Sequence, residues 1–193
     1  MSHGEPLPRR TGMLTWLIKN RLSSFERTYG YDASYARELL AVDTRAFWAF
    51  AKTQTMGTYR RDVPAHVYYA VKLTGVIHED CGPCTQLGVA MALKDGVTPK
   101  VLASIVRGDV SAMSDEVALG VKFARASLAH DALADAYRDA IVEKWGKRAL
   151  VSVAFALTMA RVYPTLKYAL GFGKACSRVL VGGEHIVVRG AAA

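Results

Sequence analysis

Apolar residues recur along the chain at the three- and four-residue intervals of an α-helix. Leu14, Leu17, Ile18, Leu22 and Phe25 make one stripe that runs up to Gly30. From about Asp32 to Thr55 a second stretch sets Leu40, Phe47, Phe50 and Ala51 on one face, with Gly57 after its end, and predicts one continuous helix. Pro64 suits the first turn of a helix directed towards Ile77, with Val67, Ala70, Val71, Thr74 and Ile77 on a shared face. Asp80 reads as an N-cap before Cys81, opening a helix through Leu87, Ala90 and Met91 that stops at Gly96.

Capping signals mark the rest. Thr98 followed by Pro99 starts a short helix that Gly108 closes, with Val101, Leu102 and Ile105 on its inner face. Ser114 caps the next, where Asp115 and Glu116 lie in the positive first turn. Asp131 caps another, with Leu133, Tyr137, Ile141 and Trp145 at four-residue intervals before Gly146. A last long helix begins near Arg148 and is expected to kink or break at Pro164. Beyond Gly173 the pattern changes, and Val-Leu-Val, Gly182-Gly183 and Ile186-Val187-Val188 read as a small hairpin or an extended arm. Seven or eight helices with almost no strand predict an all-α bundle with a short β arm at the C-terminus.

At 193 residues the chain is read as one domain, residues 1–193, with a flexible N-terminus over 1–10 and the arm over about 174–193. Hydrophobic residues at 51% against 22% charged are enough for a sizeable core. The longest apolar run, near Ala149 to Ala160, is closed by Arg161 and is shorter than a bilayer span, so no membrane partner is expected. MSHGEPLPRR has no apolar stretch of a secretion signal, which makes the cytoplasm the expected location. The net charge of +8 is scattered, without a basic run and without interleaved aromatics, so no nucleic-acid partner is expected. Trp16, Trp48 and Trp145 read as core or interface anchors, and no nucleotide or flavin motif is present.

Three cysteines are an odd number for a disulfide framework, and in a reducing compartment a close pair is more often catalytic or metal-binding. Cys81-Gly82-Pro83-Cys84 places two thiols three positions apart at a helix start, where they can close a disulfide. The unpaired N–H groups and positive dipole of that helix end favour the thiolate, the nucleophilic form. Thioredoxins carry the same tetrapeptide, but their fold needs a strand before it, and residues 64 to 77 have helical spacing.

The order of elements from Leu39 to Leu128 resembles the carboxymuconolactone decarboxylase superfamily, in its alkylhydroperoxidase AhpD-like branch. The resemblance is carried by the apolar helix Ala65 to Ile77, the pair Cys81 and Cys84, the Ala-rich stretch Val89 to Leu93 and the turn Asp95-Gly96. The short helix Pro99 to Asp109 and the acid-capped helix Ser114 to Ala129 complete it. It implies an all-helical homo-oligomer, as dimer, trimer or hexamer, that reduces a small peroxide or disulfide without a metal or organic cofactor. In that picture Cys84 attacks the oxidant, Cys81 resolves it, and an external dithiol restores both. The family's peroxidases also use a His four residues after the second Cys and a Glu twelve before the first, and here those positions are Gly88 and Tyr69. The candidate substitutes are His78 beside the motif, with His66 and Tyr69 on one helix face, an imidazole and a phenol aimed at the thiols.

Other readings accompany each of these. Glu79 and Asp80 serve equally as capping acids, Tyr69 as a packing residue, and Cys176 as a small buried apolar residue. His78, Cys81 and Cys84 would make three zinc ligands if Cys176 or His185 supplied a fourth. A non-catalytic oligomeric binding module that has lost the relay is the main alternative function. An acid–base enzyme of the same superfamily, with His66 or His78 as base, is another.

Overall fold

The structure is a computed structural model and describes residues 10–174 and 178–188. Among these the chain is mostly helical, with nine α-helices and one short antiparallel sheet near the C-terminus. It divides into two compact units, one up to residue 50 and one from residue 51 onward.

The first unit holds α1 (Arg10–Tyr29), α2 (Ser34–Val42) and the start of α3 (Thr44–Gly57). The helix expected over Asp32 to Thr55 is therefore two helices. Asp43 takes an extended conformation, and its carboxylate accepts the Arg45 N–H at 2.8 Å, so it ends one helix and starts the next. Edge-to-face ring contacts from Phe25 to Tyr31, Tyr31 to Tyr35 and Tyr35 to Phe50 organise this unit. Of the α1 stripe only Ile18 is buried, while Leu14 and Leu17 stay 46% and 47% exposed.

The second unit is built around α4 (Ala65–His78). Val67 through Val71, Leu73, Gly75 and Val76 are all buried, so this helix is covered on nearly every side. Its neighbours are α5 (Gly82–Lys94), α6 (Pro99–Arg107), α7 (Asp115–Ala129) and α9 (Lys147–Ala169), with α8 (Leu133–Trp145) packed between α7 and α9. Thr98 and Ser114 accept the helix-start N–H groups of Val101 and Val117 as their sequence positions predict, whereas the cap expected at Asp131 falls on Ala132 and Asp131, one residue earlier, takes the Leu133 N–H in a turn. Gly108 closes α6 at φ +69°.

Helix α9 runs through Pro164 without ending there, so of the kink or break expected at that proline the break does not occur. At 23 residues it is also long and apolar enough to span a bilayer, unlike the shorter run read from the sequence. Ala149, Val153, Ala156, Leu157 and Ala160 are nevertheless buried within the unit. Close approach of α9 to α4 depends on Gly75, where a Cβ would come within 2.9 Å of both Ala160 Cβ and Leu157 Cδ1. The C-terminal arm is a hairpin, with β1 (Arg178–Val181) paired to β2 (Glu184–Val187) so that Val179 faces Ile186. Gly182 and Gly183 form its turn, both at positive φ, the geometry such two-residue turns require. Val179, Val181 and Ile186 bury one face, and the Gln86 side chain on α5 bonds both the N–H and the carbonyl of Leu180.

Candidate functional site: the Cys81–Cys84 pair

Helices α4 and α5 form an antiparallel hairpin whose tight connection carries the first cysteine. Asp80 is not the N-cap expected from its position: it sits at φ +48°, and Cys81 occupies the cap. Extended φ and ψ at Cys81 aim its carbonyl into the new helix, where it accepts from both the N–H and the hydroxyl of Thr85 at 2.9 Å. Pro83, in the first turn, fits a position whose N–H has no partner inside the helix. Cys84 follows one residue later, 5.3 Å from Cys81 between Cα atoms, and the two sulfurs are joined as a disulfide.

Val76 and Ala160 complete the small apolar cluster around the pair. Cys81 has no exposed surface, and Cys84 keeps 7%. Three polar contacts brace the connection: Arg161 Nε with Glu79 Oε1 at 2.6 Å, Tyr168 Oη donating to the Asp80 carbonyl at 2.9 Å, and Gly82 N–H donating to the Lys174 carbonyl at 3.0 Å. Glu79 is thus a bracing residue, engaged with α9.

The five residues selected from sequence do not form one site. The cysteines are together, and His78 ends α4 just before them, exposed on the rim of a cavity of about 440 Å³ between Ile77, Ile105, Val106 and Leu128. His66 and Tyr69 lie towards the other end of α4, so the relay expected from their shared face is not assembled. Nine residues of helix separate Tyr69 from His78, about 13 Å along the axis. Each is held by another partner. Tyr69 Oη donates to Asp95 Oδ2 at 2.9 Å, at the far end of α5, and burial and then that bond push its phenol above its ordinary range. It is a neutral donor, not a base. His66 Nε2 lies 2.8 Å from Glu116 Oε2, whose other oxygen takes Lys144 at 3.0 Å.

The space beside Gly88, where the resembling peroxidases carry a histidine, is closed as well. A Cβ on Gly88 would lie 2.8 Å from Leu73 Cδ2, so α5 meets α4 through a glycine against a leucine. Sequence reading passed over Lys72, whose ammonium sits 5.7 and 5.8 Å from the ring centroids of Tyr68 and Tyr69 and is pushed down by burial. The four- and three-residue spacings to those tyrosines were its signal. No group of three His, Cys, Asp or Glu placed to hold a metal occurs among the described residues. Of the four-ligand zinc sets, Cys176 lies outside the described residues, and His185 is on strand β2, paired with Leu180.

Lys144 first and His66 second hold the Glu116 carboxyl below its ordinary value. A depressed carboxylate adds stability above the unfolded-state value and loses it as pH falls through the folded one. Both pairs are part-exposed, so Glu116→Gln is expected to cost under about 1 kcal/mol at pH 7. Melting curves of variant and wild type should converge as pH falls below the depressed folded-state value, and a gap that persists in acid would mean that packing, not charge, is the cause.

What this arrangement can do chemically is exchange two electrons between a dithiol and a disulfide, and comparisons with family models, with curated proteins and with solved structures find no match to the chain.

Proposed function

We propose that the protein is a thiol-dependent oxidoreductase of the AhpD-like kind, in which Cys81 and Cys84 cycle between dithiol and disulfide to reduce a small peroxide or disulfide. The observation that carries this reading is the bonded pair at the opening of α5, with Cys84 the more exposed residue of the two. On a hydroperoxide, the Cys84 thiolate forms an S–O bond as the O–O bond breaks, and the alkoxide leaves with a proton from water. The Cys81 thiolate then displaces hydroxide from the sulfenic acid, which leaves as water and closes the disulfide. An external dithiol supplies two electrons and two protons to reopen it. On a disulfide substrate the same thiolate forms a mixed disulfide, and Cys81 releases the second half.

Counting thiols on denatured samples tests it. Three per chain in the reduced protein should fall to one after stoichiometric hydroperoxide, and Cys84→Ser should keep both of its remaining thiols. An unchanged count of three in wild type, with peroxide and with a small disulfide, would sink the reading.

One observation favours the alternative of a non-catalytic oligomeric binding or assembly module: Leu73 fills the space beside Gly88 where the family's relay histidine would stand. Met13, Leu14, Trp16 and Leu17, exposed on α1, suit self-association under either reading. That module would show native-mass oligomers and no oxidant-dependent thiol loss.

A further inference from the structure

The disulfide packs against Ala160 of α9, and the stretch that follows α9 bonds the backbone of Gly82, the residue next to Cys81. After Ala169 the chain folds back, with Phe172 N–H donating to the Lys167 carbonyl at 2.7 Å, and crosses the start of α5. There the Lys174 carbonyl takes the Gly82 N–H at 3.0 Å. Gly82 is the first residue of α5, and N–H groups of a first helical turn are those a thiolate draws on. Pro83 offers none and the Thr85 N–H returns to the Cys81 carbonyl, so the other N–H groups of this turn are those of Gly82 and Cys84. Docking of residues 170–174 therefore occupies one of the N–H donors at the helix start that carries the pair.

The same stretch is seated by one ring. Tyr168 donates its hydroxyl to the Asp80 carbonyl, and Gly173 lies flat against the Tyr168 ring, so that any Cβ at residue 173 would collide with it. The carbonyl groups of Asp80 and Lys174 thereby bind a side chain and a backbone N–H on either side of Cys81. With Cys81 fully covered and Cys84 at 7% exposure, an attacking thiolate has little approach to either sulfur in this arrangement.

We propose that residues 170–174 are a displaceable strap: docked, it keeps the Cys81–Cys84 pair closed, and undocked, it opens the sulfurs and returns the Gly82 N–H to the helix terminus. The inference rests on the redox reading above and adds its control. In reductive opening an external thiolate bonds to the Cys84 sulfur, and Cys81 leaves as the thiolate. That leaving charge sits at the helix end the strap caps. A partner that peels the strap away both admits the attacker and restores a donor for the leaving group.

The test is the rate at which dithiothreitol reduces the intact oxidised protein, followed by alkylation and mass measurement. Gly173→Val, which leaves no room beside Tyr168, should raise the rate about tenfold or more, and Tyr168→Phe, which removes one hydrogen bond, about two- to fivefold. Amide exchange at Gly82 should quicken in step. Val121→Ala, a buried change on α7, which packs on α4 and α8, is the control for general loosening and should leave the rate near wild type. Rates within twofold of wild type in both strap variants overturn the proposal. So does an equal acceleration in Val121→Ala. Because the reductant is synthetic, the strap result stands apart from peroxide turnover, which the thiol count decides separately.

Discussion

Cys84→Ser is expected to lower peroxide- or disulfide-dependent turnover on the order of 10³-fold or more, the scale on which removal of a nucleophile acts. Cys81→Ser should instead complete a single attack and stop, leaving a sulfenic acid or a mixed disulfide at Cys84. The asymmetry follows from burial: Cys81 is fully covered and its carbonyl takes two bonds from Thr85, whereas Cys84 is the residue of the pair that keeps some exposure. Both variants should stay folded, since a disulfide across three positions closes a very short loop and contributes only about 2 kcal/mol in the chain-entropy account. Mass measurement after one equivalent of hydroperoxide, with a dimedone trap for sulfenic acid, distinguishes them. Trapping on Cys81 in the Cys84→Ser protein, at the rate seen on Cys84 in the reverse variant, would reverse the assignment.

The second large effect concerns the hairpin that presents the pair. Leu73 has no exposed surface, and its Cδ2 fills the space above Gly88. Leu73→Ala should destabilise the protein by about 2–5 kcal/mol, the range for a buried leucine reduced to alanine. Gly88→His, which would rebuild the relay position of the resembling peroxidases, should destabilise as well, because the new side chain meets Leu73. Combining the two should cost less than their sum, as the alanine vacates space that the imidazole needs. Urea unfolding of the four proteins measures the coupling. Strict additivity would mean that α4 and α5 separate freely, and that the glycine–leucine contact does not set their spacing.

The cysteine pair was legible because its geometry is local: three positions at a helix start bring two sulfurs together in any fold. The substitute relay was not. A shared helix face states direction around the axis of α4 but not distance along it, and His66 and Tyr69 lie too far from the cysteine end. Their partners, Glu116 and Asp95, come from α7 and the end of α5, and nothing in the residues around position 66 or 69 names them. Asp43 and Asp80 misled for a related reason. One aspartate supports a cap, a turn or a left-handed corner, and the backbone path around it decides which. Pro164 removes one hydrogen bond from α9, a local loss that burial along the rest of the helix outweighs.

By itself the sequence determined the helical class, most helix ends and the chance of a disulfide between Cys81 and Cys84, since periodicity, caps and short spacings act within about one turn. Only the tertiary structure decided that the pair packs against Ala160, that the Lys174 carbonyl takes the Gly82 N–H, that Gly88 faces Leu73, and that Leu14 and Leu17 of the α1 stripe stay exposed. Those outcomes depend on which distant segments share a surface, and burial of apolar area has no direction along the chain until the whole core has formed.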